Sequence, residues 1–340
     1  LMQLSAFDFP FDASLIATQP SLPRDHARLL VLQRGDRSLA HRRVDELPEL
    51  LHPGDLLVVN NTKVMAARVT GRKRPSGAEV EILFVKDLGD AMWEVLIKGT
   101  FRPGQILEMG TEAVAVVVER NAIRTTVRVE SPIPWSEWLQ QHGRMPLPPY
   151  IKRAPTDQDR AWYQTMFAQH EGAIAAPTAG LHFTSDLLAR LRQRGVELRA
   201  VTLHVGVGTF KPVTVDQIED HRMAAEWVEV GVEAVRAIEQ ARATGRRIVA
   251  VGTTVVRALE TAARADGQIR PYQGETDMFM TPGFPFKAVD ALLTNFHLPR
   301  TTLLMLVSAL AGTELLRQAY AEAVRQRYRF YSYGDAMLIL

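Results

Sequence analysis

From Ala66 to Glu130 the chain reads AARVTGRKRPSGAEVEILFVKDLGDAMWEVLIKGTFRPGQILEMGTEAVAVVVERNAIRTTVRVE. The runs AARVT, AEVEILFV, MWEVLIKG, QILEM, AVAVVVE and AIRTTVRVE are separated by Arg74-Pro75-Ser76-Gly77, Leu88-Gly89-Asp90, Arg102-Pro103-Gly104 and Glu119-Arg120-Asn121. Strand-like runs spaced roughly ten residues apart, with no helical period between them, argue for a small antiparallel barrel or sandwich. Outward from this stretch the texture changes. LLVVN and the strand Arg28–Leu32 precede it, and regular α/β sequence follows it, so the barrel reads as an insertion. The expected fold is an α/β main domain with a mixed or partly parallel sheet, over residues 1–65 plus 150–340. The inserted β-barrel domain takes residues 66–149, including a Pro-rich return, SPIPW and MPLPPYI, that favours extended geometry and resists helix.

From Ser185 onward, helix and strand alternate. Leu187, Leu188 and Leu191 form a helix face that Gly195 ends, and VELRAVTLHV is a strand. Val232, Val235, Ile238 and Ala241 recur at helical spacing, Gly245 stops them, and Arg247–Val251 leads into Gly252-Thr253-Thr254 and a further helix. Ala291–Leu298 repeats the pattern, with a helix from Thr301 and a last one over Leu315–Arg327. Such alternation puts functional loops at the C-terminal ends of the strands.

Bulk properties remove several classes. At 340 residues the chain exceeds one ordinary core, and 46% hydrophobic with 23% charged residues is a soluble globular composition. A formal charge of +2 does not by itself indicate a nucleic-acid partner, which would need a local basic patch. The absence of cysteine excludes disulfides, thiolate catalysis and cysteine-ligated metal. The longest apolar run near the end, LLMLVSALAG from Leu303, is too short to span a bilayer, and no secretory signal opens the chain. A cytoplasmic protein with no membrane partner is the expectation, and Leu1 ahead of Met2 reads as a start-site remnant.

No dinucleotide fingerprint, Walker loop, His-Glu-x-x-His or Gly-x-Ser-x-Gly occurs, so no metal site is expected. Four polar clusters remain, each at a strand-to-loop junction: Gly180-Leu181-His182, His204–Thr209, Asn295-Phe296-His297 and Tyr333-Gly334-Asp335. A lone buried His is commonly structural, but four such clusters at sheet ends are better explained by one shared pocket. Gly180, Gly206 and Gly208 are read as positions of positive φ or close ligand approach. The helix starting near Thr184-Ser185-Asp186 is expected to aim N–H groups at the same place. HRMAAE, His221–Glu226, supplies a His and a carboxylate that would face each other across one helical turn. The basic residues Arg24, Arg28, Lys63, Arg68, Arg72, Lys73, Arg74, Lys152 and Arg153, with Tyr150 and Trp162, suggest an RNA-binding surface. A solvated charged face explains them equally well.

The segments LPRDHARLLV, GDLLVVNNTKVMAARV, RMPLPPYI, APTAGLHFT, TLHVGVGTF, VGTTVVRALE, DALLTNFHLPRTTLLMLVSALAG and YRFYSYGDAMLI, in this order, resemble the S-adenosylmethionine:tRNA ribosyltransferase-isomerase family of queuosine biosynthesis. The resemblance covers nearly the whole chain. Where the family pattern has a second His and a Ser before the Glu of HRMAAE, this chain has Ala224-Ala225. Thr301 replaces a Ser, and Leu310 an aromatic residue.

The resemblance implies transfer of the ribosyl part of S-adenosylmethionine to 7-aminomethyl-7-deazaguanine at the tRNA wobble position. Isomerisation then gives epoxyqueuosine, with release of adenine and methionine. It also implies an α/β domain carrying an inserted β-barrel. In that frame His182, His204, Glu226, Asp335 and His297 are the catalytic candidates. Thr178, Gly180, Gly206, Gly208, Thr209, Gly252, Thr253, Thr254 and Asn295 are expected to bind S-adenosylmethionine. Arg24, Arg28, Lys63, Arg68, Tyr150, Lys152 and Arg153 are expected on the tRNA anticodon loop. S-adenosylmethionine is consumed, so no cofactor and no metal are expected, and the chain is expected to act as a monomer.

Overall fold

The computed structural model describes residues 2–121, 124–263 and 266–340. Ala122 and Ile123, which open the expected run AIRTTVRVE, lie outside the described residues, as does Leu1. A nine-stranded sheet forms the larger body. From edge to edge its strands are Tyr272–Thr276, Glu226–Val230, Glu197–Leu203, Leu56–Asn60, Ile248–Val251, Ala291–Asn295, Ala336–Ile339, Arg28–Leu32 and Leu39–Arg43. The four central strands from Glu197–Leu203 to Ala291–Asn295 run parallel. Ala336–Ile339 and Arg28–Leu32 run parallel to each other but opposite to that group.

Leu56–Asn60, Ile248–Val251 and Ala291–Asn295 are buried along their whole length and mostly apolar because both faces are covered. Leu56 and Val58 face a core built with the helices Val232–Ala243, Thr253–Ala262, Thr302–Ala311 and Thr313–Arg325. Leu57 and Val59 face a second core under the helix Ser185–Gln193. The period-two side-chain alternation of a strand thus feeds two separate cores.

The stretch from Ala66 folds as expected. Arg68–Lys73, Glu79–Gly89, Met92–Ile97, Ile106–Met109, Ala113–Arg120 and Thr125–Glu130 close into an antiparallel barrel. Ile82, Phe84, Leu107 and Val127 fill its interior at 0% exposure, so the lumen is a packed core rather than a channel. Arg68 and Arg144 exchange backbone hydrogen bonds of 3.2 and 2.8 Å, clamping the chain where it leaves the barrel to where it enters. Gly143 makes this approach possible, since a Cβ there would lie 1.8 Å from the Ala66 carbonyl oxygen.

Two stretches differ from the sequence reading. Trp135–His142 is a helix directly after Pro134, where the prolines suggested extended chain. Pro is well tolerated at a helix start, and burying Trp138 against the barrel outweighs its neighbours' bias. HRMAAE is not helical: His221–Ala225 is irregular, Glu226 opens a strand, and His221 packs edge-on to Phe279 at 5.3 Å. The face-to-face His221–Glu226 pair therefore does not exist. Pairing of Glu226–Val230 between Glu197–Leu203 and Tyr272–Thr276 outweighed the local helical spacing. Among the described residues, no helix is long and apolar enough to cross a membrane.

Candidate active site

Strand direction gathers the polar clusters. The four parallel strands end at Leu203, Asn60, Val251 and Asn295 on one edge. The neighbours that run the other way begin on that same edge, at Glu226, Ala336 and Arg28. A narrow cleft there is lined by Thr178, Thr209, Gly252, Thr253, Thr254, Asn295 and His297, together with Ala176, Pro177, Ala179, Thr294 and Leu303. Residues far apart in sequence converge because the segments after Leu203, Val251 and Asn295 leave the same sheet edge, and residues 176–179 pack against it.

Asn60, which the sequence reading did not single out, fastens this edge. Its amide nitrogen donates to the Leu203 carbonyl at 2.9 Å and the Thr254 hydroxyl at 3.2 Å. Its amide oxygen accepts the N–H groups of Thr62 and Leu203, each at 3.1 Å. The available signal was an Asn closing a wholly apolar strand, a position where a buried amide must find partners.

The three histidines differ in environment. His182 is 2% exposed, and its Nε2 faces the Asn295 amide nitrogen at 3.3 Å. Burial, reinforced by Arg24 and Arg329, lowers its pKa to about 3. Burial alone also takes His297 to about 3. Its Nε2 meets the Thr294 hydroxyl at 2.8 Å, and its backbone N–H donates to the Tyr320 hydroxyl at 2.7 Å. His204 is only half-buried. Its ring stacks on Trp227 with centroids 5.1 Å apart, its Nδ1 meets the Thr62 hydroxyl at 2.8 Å, and it lies against Gly172. Burial and the neighbouring His170 hold its pKa below the ordinary value.

Glu226 and Asp335 touch none of these imidazoles. Glu226 accepts the Gly206 N–H at 2.7 Å and the Thr209 hydroxyl on one oxygen, and Arg257 on the other. Arg257, missed from sequence, is 2% exposed, and its Nε has no hydrogen-bond partner. Together the pair fixes the GVGTF loop on the sheet. Asp335 accepts the backbone N–H groups of Arg28 at 2.9 Å and Arg329 at 2.7 Å, joining two loops, and burial raises its pKa. Both carboxylates position loops.

Gly180, Gly206 and Gly208, expected at positive φ or close approach, do not take positive φ; Gly252, outside that set, does, at φ 97°. Gly180 and Gly208 matter for closeness instead, because a Cβ would lie 3.1 Å from Thr165 Cγ2 and from Ala224 Cβ respectively. The second contact puts Ala224, where the family pattern has a His, beside the GVGTF loop. None of the residues of the helix Ser185–Gln193 lines the cleft. Thr184 caps it, accepting from the Leu187 N–H at 3.1 Å and donating to Asp25 at 2.7 Å.

The basic residues fall into two groups, and most are already engaged. Arg24 donates to the Trp162 carbonyl at 2.8 Å and sits 5.7 Å over the Tyr333 ring, with burial lowering its pKa to about 10. Arg28 stacks 3.8 Å over Tyr328. Arg153 grips Asp159 with two bonds of 2.7 Å, while Tyr150 meets Tyr331 edge-on at 5.3 Å. Lys63 pairs with Glu171 at 2.9 Å and Arg68 with Glu81 at 2.9 Å, both on the barrel side. Arg74 pairs with Glu108 on the barrel itself, and Lys73 lies 4.9 Å over Phe101. Lys152 is exposed. A second cavity at the barrel junction is lined by Lys63, Met65, Trp93, Leu139, Met145 and Arg160. His204 lines neither hollow, but its partners Thr62 and Gly172 are the chain neighbours of Lys63 and Glu171, which line the junction cavity. Among the described residues, no group of three or more His, Asp or Glu side chains is placed to hold a metal ion.

Comparison with known proteins agrees with this architecture. The family model for the queuosine biosynthesis protein matches residues 4–339. The chain is 50% identical to an S-adenosylmethionine:tRNA ribosyltransferase-isomerase of Moorella thermoacetica, covering all of both chains. It is 47% identical to the Aquifex aeolicus enzyme of that name, again over both full lengths. The crystal structure of S-adenosylmethionine tRNA ribosyltransferase from Thermotoga maritima superposes with a TM-score of 0.58 at 38% identity, covering 99% of this chain and 100% of that one. The chain belongs to the queuosine biosynthesis family of S-adenosylmethionine:tRNA ribosyltransferase-isomerases.

Proposed function

We propose that the protein transfers the ribosyl group of S-adenosylmethionine to 7-aminomethyl-7-deazaguanine at the wobble position of tRNA. The ribosyl group is isomerised to the epoxycyclopentane of epoxyqueuosine, and adenine and methionine leave. The observation that carries this reading is the cleft, where Thr178, Thr209, Gly252, Thr253, Thr254, Asn295 and His297 meet at one sheet edge. We take the enzyme to be cytoplasmic and monomeric, without metal or cofactor.

The sulfonium acidifies the adjacent ribose C5′ protons, so a modest base suffices to start the reaction. His204 suits that role: it is the least enclosed of the three imidazoles, and its partners Thr62 and Gly172 adjoin residues that line the junction cavity. S-adenosylmethionine would occupy the cleft, and the wobble base would approach from the barrel side. His182, neutral at pH 7 because it is buried, would hold Asn295 in place by hydrogen bonding. Glu226 and Asp335 would act through the loops they fasten. Lifting the wobble base from its stack requires a surface that holds the anticodon loop. Lys152 and the arginines around Tyr150 and Tyr333 are our choice for one side of it, and Lys63 and Arg68 for the other.

Incubation of the protein with S-adenosylmethionine and precursor-modified tRNA tests the reading. Adenine and methionine in equal amounts are expected, in the presence or absence of a chelator. Release of S-adenosylhomocysteine instead would mean methyl transfer, and no turnover would leave only an RNA-binding protein.

A further inference from the structure

The helix Thr253–Ala262 begins at the cleft with nothing to cap it. Gly252 carries no side chain, so the first-turn N–H groups have no acceptor within the helix. With the helix dipole they form a site for an anion. A second feature lines the same cleft. Asn295 is 2% exposed, and its amide nitrogen donates to the Tyr331 carbonyl at 3.1 Å, which fixes which way the amide points. Its Oδ1 is left buried in the cleft wall with no hydrogen-bond partner. A buried acceptor without a donor is costly, so this oxygen calls for a ligand N–H.

Donors for an anion beside an acceptor for a cation describe the head of an α-amino acid. Among the described residues, no Lys or Arg lines the cleft, which suits a zwitterion of zero net charge better than a phosphate. A phosphodiester would also bring no N–H for Asn295. We propose that the N-terminus of the helix Thr253–Ala262 binds the carboxylate of the methionine end of S-adenosylmethionine, and that Asn295 Oδ1 binds its α-ammonium. This rests on the function proposed above and adds an orientation to it. With the amino-acid end anchored here, the sulfonium and ribose extend toward the GVGTF loop, whose Thr209 lines the cleft.

The test compares S-adenosylmethionine with its decarboxylated form, which keeps the sulfonium and ribose and lacks the carboxylate. The measure is kcat/KM for adenine release at saturating precursor tRNA. Wild type is expected to favour the carboxylated substrate about tenfold or more, as a charge-assisted contact would. Ala179 offers the decisive variant, because its Cβ lies 3.5 Å from where a Cβ on Gly252 would sit. Ala179→Asp would put a tethered carboxylate on the helix N-terminus, bringing the substrate ratio to about one by weakening only the carboxylated form. Thr253→Val removes a hydroxyl that lines the cleft at the first helix position, where it can donate to the carboxylate, and adds no charge; it should shrink the ratio by about threefold. A wild-type ratio near one overturns the inference while leaving the enzyme's activity intact. Equal loss with both substrates in Ala179→Asp, with an unchanged ratio in Thr253→Val, overturns it as well. So does a raised KM for tRNA in Thr253→Val with the ratio unchanged, which would assign the site to an RNA phosphate. Absence of adenine release in wild type would defeat the functional reading itself.

Discussion

The barrel and the loop edge of the sheet are equally well buried but built from opposite materials. Inside the barrel, Ile82, Phe84, Val95, Leu107 and Val127 exclude water with apolar side chains, held by a closed backbone ladder. At the sheet edge, Asn60, His182, Thr209, Glu226, Arg257, Asn295 and His297 are buried although every one is polar. Burial of polar groups is tolerated only where partners are found, and here nearly every group has one. The exceptions, Asn295 Oδ1 and Arg257 Nε, stand at the cleft and beside the loop that lines it. A closed apolar ladder makes a region stable; a buried polar network makes a region specific about where its atoms lie, which a reaction needs.

The largest stability effect should come from the Glu226–Arg257 pair. Removing one partner leaves a buried charge alone, so Arg257→Met should destabilise by about 3–5 kcal/mol in denaturant titration. The double variant Arg257→Met/Glu226→Gln should recover part of that loss. A single variant as stable as wild type would show that the edge is not held by this pair.

A smaller effect follows from the buried histidines. His182 and His297 have folded pKa values of about 3, below the unfolded value, so the unfolded chain binds more protons as pH falls below about 6.5. Stability is therefore present in full above that pH and declines as acid is added. Between about pH 6.5 and 5, each imidazole should cost about 1–2 kcal/mol. His297→Gln should flatten the pH dependence of unfolding in this window; an unaltered slope would mean that His297 is not held neutral.

The smallest effect concerns the surface. Lys152→Glu should weaken tRNA binding and reduce its salt slope by about one to two, one ion's release being lost and a repulsion added. An unchanged slope would remove Lys152 from the RNA surface.

Much of this was legible in the chain. Strand-length runs between turn residues gave the barrel, and alternation after Ser185 gave the sheet, because both depend on local periodicity. The cleft was legible in part: Thr209, Asn295 and His297 end or follow parallel strands and share one edge, whereas His182 and Asp335 do not line it. What was not legible depended on side-chain direction. Glu226 faces Arg257 and not an imidazole, because it begins a strand whose pairing lies with residues 202–203 and 272–276. Arg24 and Arg153 carry charge in the sequence, but Trp162 and Asp159 already engage them. Asn60 looked like the last residue of a strand, and only tertiary contacts reveal it as the bolt between Leu203 and Thr254.

The most direct test sets the two regions side by side in single-turnover adenine release, with S-adenosylmethionine and precursor tRNA saturating. His204→Ala at the sheet edge should fall by about a hundredfold or more, as loss of a proton-transfer group does. Leu107→Ala in the barrel should lose about 2–5 kcal/mol of stability yet keep a near wild-type rate while folded. A His204→Ala rate equal to wild type, or a folded Leu107→Ala protein with its rate reduced as far as that of His204→Ala, would contradict the assignment of the chemistry to the sheet edge.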